Sequence, residues 1–218
     1  MVGMAPPNPF ATDAEQELFE EKRARVDEPH VAPLNQLVRR WRALPGADAP
    51  RFIPWFDPDG AGVAARVLAI MESPGPQTVA AGDLGFNTED NPNPASRIFA
   101  RLRREAGLPR SLYLRWNIVP WALHDAQGLR RGPRTADVVE GAPFLDQLLA
   151  ELPELRIIVT FGQPALTGVM RHFTLRPLDR VLPILGVPHP SPRATHDRPE
   201  LLLRITNALA TARNLAVD

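Results

Sequence analysis

The chain contains no cysteine. That absence removes disulfides, thiolate zinc sites, cysteine-ligated iron–sulfur clusters and a cysteine nucleophile together, so any chemistry must rest on oxygen and imidazole groups. Lysine is almost absent too: Lys22 is the only one, and nearly every other cation is an arginine. Net charge is missing as well, with 25 basic side chains against 25 acidic ones, which speaks against a strong nonspecific nucleic-acid binder. No apolar run approaches the roughly 18 residues that would span a bilayer. The opening MVGMAPPNPFATDAEQE has no basic-then-apolar signal pattern, so no membrane partner and a cytoplasmic location, nucleoid-associated in a bacterium, are expected. What the chain does have is 218 residues, 44% of them hydrophobic, and 25 prolines. That is enough for one domain, or one and a half, with a real core, and it excludes a wholly disordered polypeptide.

The zero net charge hides an asymmetry. Residues 1–30 carry seven acids against three bases, a balance of −4 that leaves +4 for the remainder. Arg97, Arg101, Arg103, Arg104, Arg110 and Arg115 crowd one stretch, and the planar guanidinium suits phosphate; a GC-rich coding sequence would also produce this preference for arginine. Residues 1–30 read as an acidic N-terminal extension: a tail with Pro6, Pro7 and Pro9, then a helix from Asp13 to Arg25 capped by Thr12 or Asp13. The extension reads as an appendage to a domain over residues 31–218. A second helix is expected from Val31 to Leu44, where Leu34, Leu37, Val38 and Trp41 recur at helical spacing. Pro45 to Gly62 is a loop rich in proline and glycine, packed by Phe52, Trp55 and Phe56.

Beyond Arg66, short apolar runs alternate with helical segments, the pattern of parallel βαβ units. Four strands are predicted, Ala65 to Met71, Ser111 to Val119, Leu155 to Phe161 and Arg180 to Val187, with helices at Pro94 to Ala106, Thr135 to Leu152, Gln163 to His172 and Arg198 to Asn214. The expected fold class is α/β, a single-domain three-layer αβα architecture around a central, mostly parallel four-stranded sheet. Open parallel sheets bind ligands beyond the carboxyl ends of their strands. Strand one there runs into Glu72-Ser73-Pro74-Gly75-Pro76-Gln77, strand two ends in Asn117, strand three in Gly162-Gln163, and strand four in Pro188-His189-Pro190-Ser191-Pro192. A carboxylate, an amide, a polar glycine turn and an imidazole thus converge on one edge. Each also has a plain structural reading: Glu72 as a turn cap, Asn117 as a satisfied core amide, His189 as a packing residue. The two prolines flanking His189 favour presentation of its side chain.

These segments resemble the uracil-DNA glycosylase superfamily. MESPG at 71–75 is similar to its first motif, written GEAPG in the iron–sulfur branch and GINPG in the mismatch-specific branch. Asn117 in LRWNIVPW resembles the strand asparagine that reads the uracil edge, and HPSP at 189–192 matches the last motif in every letter. GDLGF followed by NPNPASRIF resembles the mismatch-specific pattern, with Phe86 where the aromatic stacks on the flipped base. The resemblance extends over about Ala64 to Asn207. Three departures stand out: no cysteines for a cluster, Met71 for the first glycine, and Ser73 where other branches have a catalytic Asp or Asn.

The resemblance implies a monofunctional DNA glycosylase in base excision repair that flips a damaged base out of DNA and hydrolyses its glycosidic bond. Glu72 and His189 would be catalytic; Gly75, Phe86 and Asn117 would bind the base. Pro74, Pro76, Gln77, Gly162, Gln163, Ser191, Pro192 and Arg193 would grip the DNA backbone or fill the gap in the duplex. No metal or organic cofactor is implied, a His189–His196 metal pair being a weak alternative, and a monomer is expected. Two other readings stand beside it: a non-catalytic DNA- or nucleotide-binding accessory protein of the same fold, and a small-molecule enzyme whose PGPQT turn binds phosphate.

Overall fold

The structure, a computed structural model, describes residues 9–44, 51–175 and 181–217. Pro6 and Pro7, the start of the Pro45 to Gly62 loop and Arg180 lie outside the described residues. Helix α1 (Asp13–Ala24) begins where Thr12, in extended backbone, accepts a hydrogen bond from the Glu15 amide at 3.1 Å. Asp13 and Glu15 in its first turn complement the helix dipole. Helix α2 (Ala32–Arg42) buries Leu34, Leu37, Val38 and Trp41 on one face, as their spacing demands. Then follow β1 (Trp55–Phe56), β2 (Val67–Met71), α3 (Pro76–Ala80), β3 (Phe86–Asn87), α4 (Pro94–Glu105) and β4 (Tyr113–Asn117). The chain continues through α5 (Thr135–Ala150), β5 (Ile157–Phe161), α6 (Gln163–Leu175), β6 (Ile184–Val187), α7 (Pro192–Thr195) and α8 (Pro199–Val217). No described helix is long and apolar enough to cross a membrane.

The four strands predicted from the apolar runs form one sheet in the order β4-β2-β5-β6, every neighbour parallel. Successive side chains of a strand face opposite sides, and β2 shows the result. Leu68 and Ile70 join one apolar cluster with residues of α2 and α5, whereas Val67, Ala69 and Met71 join a second with Phe99, Ile205 and Leu209 of α4 and α8. Helices therefore cover both faces, which is why these strands read as continuous apolar runs.

Two features differ from the sequence expectations. The proline-rich loop carries a second, two-stranded parallel pair, β1 with β3, in the register Trp55 with Phe86 and Phe56 with Asn87. Two residues are too few for any alternation to register, yet Phe56 stacks flat on Trp116 with ring centroids 3.7 Å apart. The acidic extension, from Pro9 onward, is also no detached appendage. Phe10, Phe19 and Val26 belong to the main core, and Phe19 meets Phe86 edge-on with centroids 6.1 Å apart. Lys22 is fully buried, its Nζ 2.5 Å from Asp57 Oδ1, 2.5 Å from Asp59 Oδ2 and 3.0 Å from Asp90 Oδ2. The acidic average of the segment masks one inward face of α1.

Candidate active site

Parallel pairing builds the site. Met71 stands in register with Asn117, and the ladder runs on past the strands, with Ile118 N donating to Met71 O at 2.9 Å and Val119 N to Glu72 O at 3.1 Å. On the other side Gly162 N donates to Val187 O at 2.9 Å, which aligns the ends of β5 and β6 and carries His189 to the same edge. A cavity of about 320 Å³ opens there, at the small end of ligand sites (~300–1,000 Å³).

The cavity brings together Gly75, Phe86, Asn117 and His189, the residues expected at a base and its leaving oxygen, with Pro74, Pro76, Gln77 and Pro192 around them. Phe86 touches the cavity lining but is wholly buried, its ring packed edge-on against Phe19; the Asn91 amide donates to Phe86 O at 2.9 Å and Thr88 O at 3.0 Å, fixing the loop after it. Asn117 is only 6% exposed. Among the described residues neither its amide nor the His189 ring makes an intramolecular hydrogen bond, so the satisfied-core-amide reading finds no partner for it. Burial, reinforced by the charges of Arg115 and Arg130, lowers the His189 pKa to about 4. Its imidazole is neutral at physiological pH, with one N–H to donate.

Glu72 is not brought into the cavity lining. Met71 and Ser73 face the cavity, and Glu72 between them turns away, as alternation in extended backbone requires. Its carboxylate lies against Gly162, where a Cβ atom would stand 2.2 Å from Glu72 Oε1. Gly162 has φ of +92°, so glycine is needed there on two counts. Burial raises the Glu72 pKa and the Arg130 charge opposes that rise. Gly162, Gln163, Ser191 and Arg193 lie at neighbouring strand ends outside the lining: Gln163 Nε2 donates to Thr167 Oγ1 at 3.1 Å, and Ser191 N donates to His189 O at 2.8 Å, closing the turn.

Among the cavity residues that escaped the sequence analysis in this role are Asn87, Arg115 and Arg130. Arg115 had a signal, since it precedes Asn117 by two in β4 and so shares its face. Its Nη1 donates to Thr88 O at 2.7 Å and Ser96 Oγ at 3.0 Å, while its Nε and the Asn87 Nδ2 have no partner. Among the described residues the one cluster with metal-ligand spacing is Asp57, Asp59 and Asp90, and the Lys22 ammonium sits among those carboxylates. His196 is exposed, pairs with Asp197 at 3.1 Å and does not meet His189 at the cavity.

A parallel sheet with a cavity beyond its strand ends, lined by an amide and a neutral imidazole, places the protein among open α/β folds whose ligand site lies at the carboxyl edge of the sheet. The sequence profile of the Uracil DNA glycosylase superfamily matches residues 58–210, and the chain belongs to that superfamily. Among solved structures it is similar to the crystal structure of wild-type Pedobacter heparinus SMUG2, at 11% sequence identity over 99% of this chain and 92% of that one, with a TM-score of 0.48. No curated protein sequence matches it.

Proposed function

We propose that the protein is a monofunctional DNA glycosylase that hydrolyses the N-glycosidic bond of uracil or a related damaged base flipped out of DNA. The observation that carries this reading is the pairing of Asn117 and His189 at one cavity, a buried amide and a half-buried imidazole with no hydrogen bond to another of the described residues, beside Phe86. With no protein partner and with both residues lining the cavity, these two groups are free to bond a ligand there.

In this reading the Asn117 carbonyl accepts from uracil N3–H and its amide donates to O4, whereas cytosine presents the reverse pattern. Phe86 packs on the base. Cleavage separates an oxocarbenium-like sugar from a uracil anion. Neutral His189 donates to O2 as charge develops there, in a site that excludes water. Glu72 has to swing from its seat against Gly162 towards the cavity to stabilise the sugar cation and orient the attacking water, while Ser73 offers the cavity only a hydroxyl. The single lysine is buried among three carboxylates, so no side-chain amine is at hand for imine chemistry. The turns at 74–77, 162–163 and 191–193 hold the backbone through main-chain N–H groups.

The direct experiment incubates purified protein with labelled oligonucleotides bearing uracil, hypoxanthine, xanthine or a mismatch, then alkali. Strand scission at a damaged base supports the enzyme. Binding with no abasic site for any base supports instead the accessory-protein reading, which the placement of Glu72 outside the cavity lining favours.

A further inference from the structure

Arg130 closes a hairpin between β4 and α5 whose ends meet in the antiparallel bridge of His124 with Arg130. The hairpin is braced from inside: Asp125 Oδ1 accepts from the amides of Gln127 at 3.0 Å and Leu129 at 2.8 Å, and Asp125 N donates to Leu129 O at 2.8 Å. It is also braced at its base. Arg131, the next residue, makes a two-pronged contact with Asp137 at 2.6 and 2.8 Å, so that guanidinium is neutralised and serves as an anchor.

Arg130 is different. It is exposed and yet lines the cavity, which places it at the rim. Its Nη2 lies 3.5 Å from Ser73 Oγ, the outer limit of a hydrogen bond, and its Nη1 lies 3.8 Å from the point where a Cβ on Gly75 would stand. The guanidinium therefore lies across the Ser73-Pro74-Gly75 turn. Among the described residues it has no ion pair, and the acid whose charge it feels, Glu72, is turned against Gly162. A guanidinium without a carboxylate, carried on a braced hairpin at the mouth of a site, offers the fork that binds phosphate in two-pronged fashion.

We propose that Arg130 is a phosphate-binding residue that holds the DNA backbone beside the extruded nucleotide. The identity of the ligand as DNA rests on the glycosylase reading; the anion site itself rests on the rim geometry. Arg130 thereby adds a charged clamp to the neutral main-chain turns at the same edge of the sheet, over Ser73 and Gly75.

The test is a fluorescence-anisotropy titration with a labelled duplex holding one uracil opposite guanine, its sugar 2′-fluorinated to block cleavage, at a series of salt concentrations. A second duplex carries neutral methylphosphonates at the two linkages flanking the uracil. The full chain is compared with Arg130→Gln and Arg130→Lys, each checked for wild-type thermal melting. The slope of log affinity against log salt should fall in magnitude by about one for Arg130→Gln and stay near wild type for Arg130→Lys. The methylphosphonates should weaken the wild type more than Arg130→Gln, which keeps only the main-chain contacts to those phosphates. If Arg130→Gln keeps the wild-type affinity, slope and methylphosphonate sensitivity, the contact is overturned, whether or not uracil is excised. If the wild type shows no salt-dependent affinity for the duplex, the phosphate contact and the glycosylase reading fall together. Binding and slope loss without excision of uracil from the unfluorinated duplex uphold the contact and overturn the glycosylase alone.

Discussion

Lys22 Nζ lies 3.0 Å from Asp90 Oδ2, and this pair ties helix α1 to the loop that lines the cavity. Asp57 and Asp59 complete the cage around the ammonium, and Arg110 Nη1 donates to Asp90 Oδ2 at 2.9 Å from the other side. Burial alone would lower the Lys22 pKa, but Asp57, Asp90 and Asp59 more than reverse this and raise it. The resulting stabilisation is complete below the unfolded lysine value and disappears as pH rises through the folded one. Lys22→Met leaves carboxylates facing one another in a buried site, and the expected loss is about 3–5 kcal/mol of unfolding free energy in urea. A loss under about 1 kcal/mol, the scale of a surface ion pair, contradicts this view of α1 as part of the body.

Gly162 and Glu72 make a second testable pair. A Cβ at position 162 collides with the Glu72 carboxylate at a φ of +92°, so Gly162→Ala must expel the carboxylate from its seat. If Glu72 supplies charge to the reaction, Gly162→Ala and Glu72→Gln should lower the single-turnover excision rate to a similar extent, of order 10²-fold. Ser73→Ala should cost much less. The reverse ranking, with Ser73→Ala the more damaging, moves the water-orienting role to the serine.

The neutrality of His189 predicts a pH signature. Its folded pKa of about 4 lies below the ordinary histidine value of 6.5, so between those limits the unfolded chain takes up a proton that the folded one refuses. Stability therefore falls as pH drops from about 6.5 towards 4, with a contribution of up to about 1.4 kcal/mol per pH unit. His189→Asn should flatten the curve of unfolding free energy between pH 7 and 5 relative to wild type. The wild-type excision rate should show no titration near pH 6.5. Identical pH curves for the two proteins, or a rate that falls with an apparent pKa near 6.5, would mean that His189 is not held neutral.

The parts of the site legible in the sequence are those governed by strand geometry. Apolar runs located the four strands, and a parallel sheet sets their carboxyl ends on one edge, which points to Asn117, His189 and the turn holding Gly75; Phe86 and the base-binding role of Gly75 rest on the family resemblance alone. Alternation at Met71-Glu72-Ser73 already implied that neighbours face opposite ways, and the carboxylate does turn from the cavity towards Gly162. Arg130 was not legible. It sits on a hairpin with no hydrophobic period, and only the His124 bridge and the Arg131–Asp137 anchor place it at the rim. The inward face of α1 escaped for a different reason: Phe19 and the lone lysine are outnumbered by acids, and Phe86, Asp57 and Asp59, which meet them, lie 35 or more residues away. The β1–β3 pair has two residues per strand, too short for any periodicity.

The central claim is that the Asn117 and His189 groups are reserved for an extruded base. It is tested most directly by single-turnover excision from a uracil-containing duplex by wild type, Asn117→Ala and His189→Ala, with duplex affinity measured in parallel. The account predicts measurable excision by wild type and a fall of about 10²–10³-fold in rate for each variant, the cost of removing one preorganised donor, with affinity changed no more than a few-fold. Folded variants that release uracil at the wild-type rate would contradict it.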